Sequence, residues 1–296
     1  MLRHGLRGLT KKKESLMKKL ILMFLVICLP GFVLCAEEAK PGIKRDFFAF
    51  DNGIRQVKAF EAKAALLKEL GYAGAGWRTG ANAGKMIEAL DKQGLKMIST
   101  FAHCKADPEN PSIDENFVRE IEAYKKHNTI IWLGVGRGKN STDEDAVKVI
   151  NEVADIAEKA GLEVVLYQHV GSCVHKAEDG LRLAKKVNRK NVGTSFNLCH
   201  FLKSDDEKNM EEVLKECAPY LKLVSINGAD SGDTRRMGWN KLIQPLGSGS
   251  YDNSKVLKVL DEIGYKGPIG LQCYLVRGDN KVNLKNSAET WQELNR

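Results

Sequence analysis

From Phe47 onward the sequence alternates, eight times, a short apolar run with a longer stretch of helical patterning. The runs are FFAFD (47–51), YAGAGW, LKMISTFAH, IIWLGVG, LEVVLYQH, VGTSFNLC, LKLVSING and IGLQCYLV. Between them lie segments rich in Ala, Leu, Lys and Glu, which predict helices at Gln56–Leu70, Ala83–Gln93, Ile113–His127, Asp143–Ala160 and Lys176–Val187. Three more follow, at Asp206–Cys217, Asn253–Ile263 and Leu284–Leu294. The Ser141–Thr142–Asp143 cluster supplies an N-cap, and Gly71, Gly94, Gly161 and Gly264 stand where helices stop. Strict alternation implies parallel strands joined by right-handed crossovers. The runs are nearly continuous in apolar character, as strands covered on both faces should be. Eight repeats favour closure over an open sheet, so the expected fold is α/β, a (β/α)8 TIM barrel in one domain over residues 37–296.

Residues 1–36 do not share the pattern. Lys18–Lys19 precede LILMFLVICLPGFVLC and then Ala36, which reads as a basic segment, an apolar core and a small residue to cleave after. The apolar run is shorter than the ~20 residues of a membrane span. Export to the bacterial periplasm or beyond is the expectation, with membrane contact only through the leader if it stays uncleaved. This segment holds seven Lys/Arg against one acid, a net +6 of the chain's +8. The remainder carries only +2, so the basic balance gives no reason to expect a nucleic-acid partner. Five cysteines remain after residue 36 (Cys104, Cys173, Cys199, Cys217 and Cys273), with no CxxC spacing. Three of them fall at strand ends and read as small buried hydrophobes.

A parallel barrel builds its site at the C-terminal ends of its strands. The polar residues there are Asp51, Arg78, His103, Arg137, Tyr167, Gln168, His169, Asn197, His200, Asn227, Asp230 and Gln272. Lys203, Arg235, Arg236 and Trp239 lean over them from loops. Such a mouth, with Trp77, Tyr167, Trp239 and Tyr274 as flat apolar surfaces, suits a polyol, and its arginines also suit an acid sugar or a phosphate. His127 and His175 read as surface residues on helices. The pieces Gly134–Gly138 and Gly247–Gly249 lack the spacing of a nucleotide fingerprint.

Five blocks, GYAGAGW, IIWLGVG, VGTSFNLCH, QPLGSGSYD and GYKGPIGLQCY, occur in an order that resembles the xylose-isomerase-like barrel family. These are sugar isomerases and epimerases related to endonuclease IV. The resemblance implies one divalent metal (Mn²⁺, Mg²⁺ or Zn²⁺) held by acids and histidines at the tips of strands five to eight, with a carboxylate moving the proton. This sequence departs from that pattern. Where the fifth strand has Glu-x-His, Tyr167 takes the Glu place and His169 is kept. Asp-x-x-His on the sixth becomes Asn197-x-x-His200, the seventh-strand His is Ser225 or Asn227, and the eighth-strand Glu is Gln272. Amides keep shape and hydrogen-bonding capacity but lose the charge that balances a divalent cation.

The metal candidates the resemblance leaves are therefore His169, Asn197, His200 and Gln272. His169 and His200 are also the proton-transfer candidates. Arg78, His103, Tyr167, Gln168, Asn197, Asn227 and Gln272 are expected to contact a small-molecule carbohydrate. The leading expectation is a sugar isomerase/epimerase-like protein. A catalytically silent carbohydrate-binding barrel is the alternative, and an endonuclease-IV-like DNA repair enzyme a remote one. The sequence leaves the sugar and the oligomeric state open.

Overall fold

A computed structural model describes residues 43–295; the leader assigned to residues 1–36 lies outside them. Eight parallel strands form the barrel: β1 (Phe47–Phe50), β2 (Gly74–Arg78), β3 (Lys96–Ala106), β5 (Ile130–Arg137), β6 (Val164–Leu166), β7 (Val192–Asn197), β8 (Leu221–Ile226) and β9 (Ile269–Leu271). Each pairs with its neighbours in turn, and β1 pairs with both β2 and β9, so the ring is closed. A two-residue strand, β4 (Ser112–Ile113), folds back antiparallel on the long end of β3. Among the described residues no helix is long and apolar enough to cross a membrane.

Side chains alternate across a strand, and here they separate two cores. Phe48, Phe50, Ile98, Trp132, Val165, Tyr167 and Leu223 form a small cluster of their own, filling the inside of the ring. The larger cluster unites the other strand faces with the helices. The inner space is taken by rings: Phe50 stacks on Trp132 at 4.7 Å and meets Phe48 edge-on at 5.0 Å. This crowding explains two glycines. A Cβ at Gly76 or at Gly270 would stand 2.5 Å from the Phe50 ring, so only a bare backbone fits there.

The helices are α1 (Phe60–Glu69), α2 (Ala83–Lys92), α3 (Glu115–Lys125), α4 (Asp143–Lys159), α5 (Ala177–Val187), α6 (Leu198–Ser204), α7 (Met210–Cys217), α8 (Trp239–Leu242), α9 (Ser254–Glu262) and α10 (Asn280–Leu294). Their boundaries follow local chemistry. Thr142 and Asp145 form a reciprocal capping box on α4, and Asp114 caps α3 through the N–H groups of Asn116 and Phe117. Ile113, expected at a helix start, is therefore strand. The first helix starts at Phe60 rather than Gln56. The closing helix begins four residues earlier than expected, because Asp279 accepts from Lys281 and Val282. The loop at 228–251 contains α8 and a 3₁₀ turn, Thr234–Arg236.

The two ends of the described chain are sewn together. Phe47 stacks on Trp291 at 4.4 Å, and buried Arg45 reaches Asp261 at 2.6 Å and the Tyr265 carbonyl at 2.8 Å. The five cysteines among the described residues are buried and unpaired there. His127, expected on a helix surface, follows α3 with its side chain only 7% exposed. Its Nδ1 accepts from the Met97 N–H, and its Nε2 meets Asp91, a partner too distant in sequence to be read from local pattern. His175, also expected on a helix, precedes α5, and its Nδ1 accepts from the Gly171 N–H.

Candidate active site

At the C-terminal ends of the strands lies a cavity of about 570 Å³. Phe50, Phe101, Trp132, Tyr167, Trp239 and Tyr274 give it aromatic walls. The Trp132 and Tyr167 rings lie 3.8 Å apart at the floor, and the Trp132 Nε1–H is spent on Ser195 Oγ at 3.0 Å. Asp51 and Arg78 are the charged Asp, Glu, Lys or Arg side chains on its lining, and they pair with each other. Asn52 donates to Gln272 Oε1 at 2.6 Å, joining the ends of the first and last strands.

His169 and His200 stand with ring centres 4.3 Å apart. Both are oriented by Val170. The Val170 carbonyl can only accept, so His169 Nδ1, 3.0 Å away, carries a proton and its Nε2 is left as a lone pair. The Val170 N–H can only donate, so His200 Nδ1, at 3.2 Å, is bare and the neutral ring carries its proton on Nε2. That Nε2 faces the Tyr167 hydroxyl at 3.4 Å, a long contact. His200 is 6% exposed, and burial lowers its pKa to about 3, with His169 and His175 adding to the effect. Burial also lowers His169, against the opposing pull of the Val170 carbonyl. Burial raises the Tyr167 hydroxyl, which stays protonated.

Of the residues expected to contact a ligand, Arg78, His103, Tyr167, His169, His200 and Gln272 line the cavity. Gln168, Asn197 and Asn227 do not, and each is fully buried. Gln168 Oε1 accepts from the Asn197 N–H at 3.0 Å, and Asn197 Oδ1 accepts from the Cys199 thiol. Asn227 donates to the carbonyls of Gly228 and Leu242, which pins α8 to the barrel end. Of the loop residues, Trp239 lines the cavity; Lys203 instead donates to the carbonyls of Arg235 and Met237. Asp230 braces the same loop through Lys241 at 3.0 Å. Phe50, Asn52, Phe101, Trp132 and Ile243 line the cavity without having been singled out. The signal for Asn52 was present, since it directly follows Asp51 at the first strand tip.

The residues at the expected metal positions do not fit a divalent ion. Gln272 Oε1 already accepts from Asn52, from the Cys273 N–H and from the Tyr274 N–H. The Asn197 oxygen is engaged by Cys199, and its free end is the amide nitrogen, which is a donor. His200 Nδ1 is taken by a backbone N–H. Among the described residues no three His, Cys, Asp or Glu side chains are grouped to hold a metal.

The β9 run ends at Leu271, five residues short of the expected IGLQCYLV strand, because Gln272 captures the next two N–H groups with its side chain. The chain then turns at Leu275, which has φ +57° and is 58% exposed, beside Tyr274 at the cavity rim. A left-handed non-glycine residue costs about 1–2 kcal/mol, and glycine's extra unfolded-state entropy returns about 0.5–1 kcal/mol of that. Leu275→Gly is therefore expected to raise stability by about 0.5–1 kcal/mol, read as a higher urea midpoint. An unchanged or lower midpoint would mean that the turn holds no such strain.

The family described as xylose isomerase-like TIM barrel matches residues 63–294. Inosose dehydratase of Serratia proteamaculans (strain 568) is 29% identical over 128 residues, 40% of this chain. That match spans 43% of the relative's own length. Among solved structures, 3-keto-D-glucoside 4-epimerase YcjR from E. coli superposes with a TM-score of 0.66 at 15% identity, over 84% of this chain and 99% of that one. The IolI protein with a bound zinc atom gives 0.63 at 16%, over 84% and 97%. D-psicose 3-epimerase with D-tagatose, from Clostridium cellulolyticum H10, gives 0.63 at 14%, again over 84% and 97%. At these identities the structural likeness speaks for the shared fold.

Proposed function

The chain belongs to the xylose isomerase-like TIM barrel family, and from that premise we propose that it is a sugar-modifying enzyme moving a proton at a carbon of a small neutral carbohydrate. The observation that carries this reading is the imidazole of His169. Its Nε2 lone pair has no hydrogen-bond partner among the described residues, in a cavity walled by aromatic rings. Aromatic faces stack on the C–H faces of sugar rings, while hydroxyls need polar groups at the edges. Here Asn52, His103 and the Asp51–Arg78 pair supply those edges. Because Arg78 is already matched by Asp51, no surplus positive charge lines the cavity to hold a phosphate. An uncharged sugar is favoured over the acid or phosphorylated one that the arginine count had also suited.

Isomerisation through an enediol, epimerisation beside a carbonyl and dehydration of a keto-sugar share a first step, removal of a proton from the carbon beside the carbonyl. A neutral imidazole is suited to it. The test is incubation of the protein in D₂O with a panel of neutral ketoses, aldoses and keto-sugars, followed by NMR. Loss of a C–H signal or appearance of a new sugar supports the reading, and it is overturned if no sugar exchanges.

The second reading is a sugar-binding barrel without turnover. It is favoured by the amides at 197, 227 and 272, of which Asn197 Oδ1, Asn227 Nδ2 and Gln272 Oε1 are engaged in holding the wall together. A sugar that raises the melting temperature yet never exchanges its protons would establish it.

A further inference from the structure

We infer that Val170 locks the two imidazoles in opposite tautomers, making His169 Nε2 the proton acceptor and His200 a positioning residue that presents the Tyr167 hydroxyl to a substrate oxygen, without a divalent metal. The inference rests on the proposed proton-transfer reading and assigns its parts. The lock itself is geometric. A carbonyl oxygen and an N–H of one residue cannot exchange roles, so the 3.0 Å contact to His169 and the 3.2 Å contact to His200 fix where each ring proton sits. His200 then offers Nε2–H to the Tyr167 oxygen. An oxygen that accepts this bond keeps its own O–H to give, and Tyr167 is among the residues that line the cavity.

The proton count closes. His169 Nε2 takes the proton from the carbon beside the carbonyl, and the C–H electron pair becomes the new C=C bond. The carbonyl π pair moves to oxygen, where the Tyr167 O–H hydrogen-bonds the developing charge. His169, now an imidazolium, keeps its Nδ1–H on the Val170 carbonyl. Returned to the former carbonyl carbon, while the neighbouring enediol O–H pair forms the new C=O and that hydroxyl proton passes to the first oxygen, the proton gives an isomer. Given to a departing β-hydroxyl, as the oxyanion pair re-forms the carbonyl and the C=C pair forms the new double bond, it gives water and a dehydrated sugar. A donor to the developing oxyanion does the work the missing carboxylates and their ion would share.

The histidines provide their own controls. His127, His175 and His200 each accept a backbone N–H on Nδ1, so of the four rings with a backbone partner among the described residues only His169 is expected with its proton on Nδ1. The experiment is a long-range ¹H–¹⁵N spectrum of the histidine-labelled full chain, with His169→Gln and His200→Gln for assignment. The expected result is an Nδ1–H tautomer lost in His169→Gln and an Nε2–H tautomer lost in His200→Gln, neither moved by excess Zn²⁺ or Mg²⁺. A reversed or averaged tautomer at either ring, or stoichiometric metal binding that shifts both, overturns the inference whatever the exchange assay shows. The predicted tautomers with no sugar exchange would instead leave the lock standing and overturn the proposed function.

Where exchange is found, Tyr167→Phe is expected to lower kcat by about 10²–10³-fold with KM little changed, as for loss of one oxyanion donor. His200→Gln, which keeps an N–H near the Nε2 position, should retain more activity than His200→Leu. Equal loss in both would make His200 a packing residue and remove it from this scheme.

Discussion

His169→Ala is expected to lower the rate of sugar proton exchange by about 10²–10⁴-fold, the usual worth of a general base, while leaving the barrel folded. The two halves of that expectation have separate physical grounds. The ring is on the cavity side, and its one hydrogen bond is to the carbonyl of the next residue, so its loss opens no void in either core. Changes away from packed or buried polar features usually stay within about 0.5 kcal/mol. The check is kcat and KM beside a urea unfolding curve of the same preparation. A rate lowered less than about tenfold, with the fold intact, would take the base away from His169 and leave His103 as the other exposed imidazole of the cavity.

The second large effect is on stability and belongs to His200. Its pKa is about 3 in the folded protein and about 6.5 in an unfolded chain. Above pH 6.5 both states are neutral and the residue contributes no pH dependence. Below it the unfolded state binds a proton that the folded state refuses, so stability falls with pH until the folded value is reached. The slope is about 1.4 kcal/mol per pH unit, and the full loss approaches about 5 kcal/mol near pH 3. Urea unfolding at pH 7.5 and pH 4.5 should show wild type losing about 2–3 kcal/mol more than His200→Gln. His169, also lowered, works in the same direction but is common to both proteins. The carboxyls of Asp91 and Asp143, held low by Lys126 and Arg182, act in a more acidic window. Identical pH slopes in the two proteins would show that His200 is not buried as a neutral ring.

The eight strands were legible because each is an apolar run between turn signals, a pattern that depends on local chemistry alone. What blurred them was also local. FNLCHFL is apolar enough to read as strand, yet the chain turns into α6 straight after Asn197, so His200 sits on a helix turn rather than a strand tip. At the last strand a single side chain, Gln272, draws the next two N–H groups out of the ladder.

Six of the nine residues expected at the site line the cavity. Alternation alone separates Tyr167 and His169, which line the cavity, from Gln168 between them. Nothing local shows that Asn227 will be spent on the carbonyl of Leu242, fifteen residues along an irregular loop. Phe50, Phe101 and Trp132 were passed over because they lie inside the apolar runs, where they read as core, yet they help wall the cavity. The vanished carboxylates at 167, 197 and 272 were visible in the sequence. What the structure adds is that their replacements have been given other partners.

The stitches between the two chain ends set the order of events when the protein is made. Arg45 finds Asp261, Phe47 finds Trp291 and Asn52 finds Gln272, each pair more than 200 residues apart. Until β9 has left the ribosome, β1 has only β2 beside it, and both flanks of the incomplete ring are open edges. Loop closure over such distances must precede any reward from the contacts it makes. The barrel therefore completes itself only after β9 has been made, and a chain that stalls before Ile269 exposes unpaired strands to aggregation or to a holding chaperone.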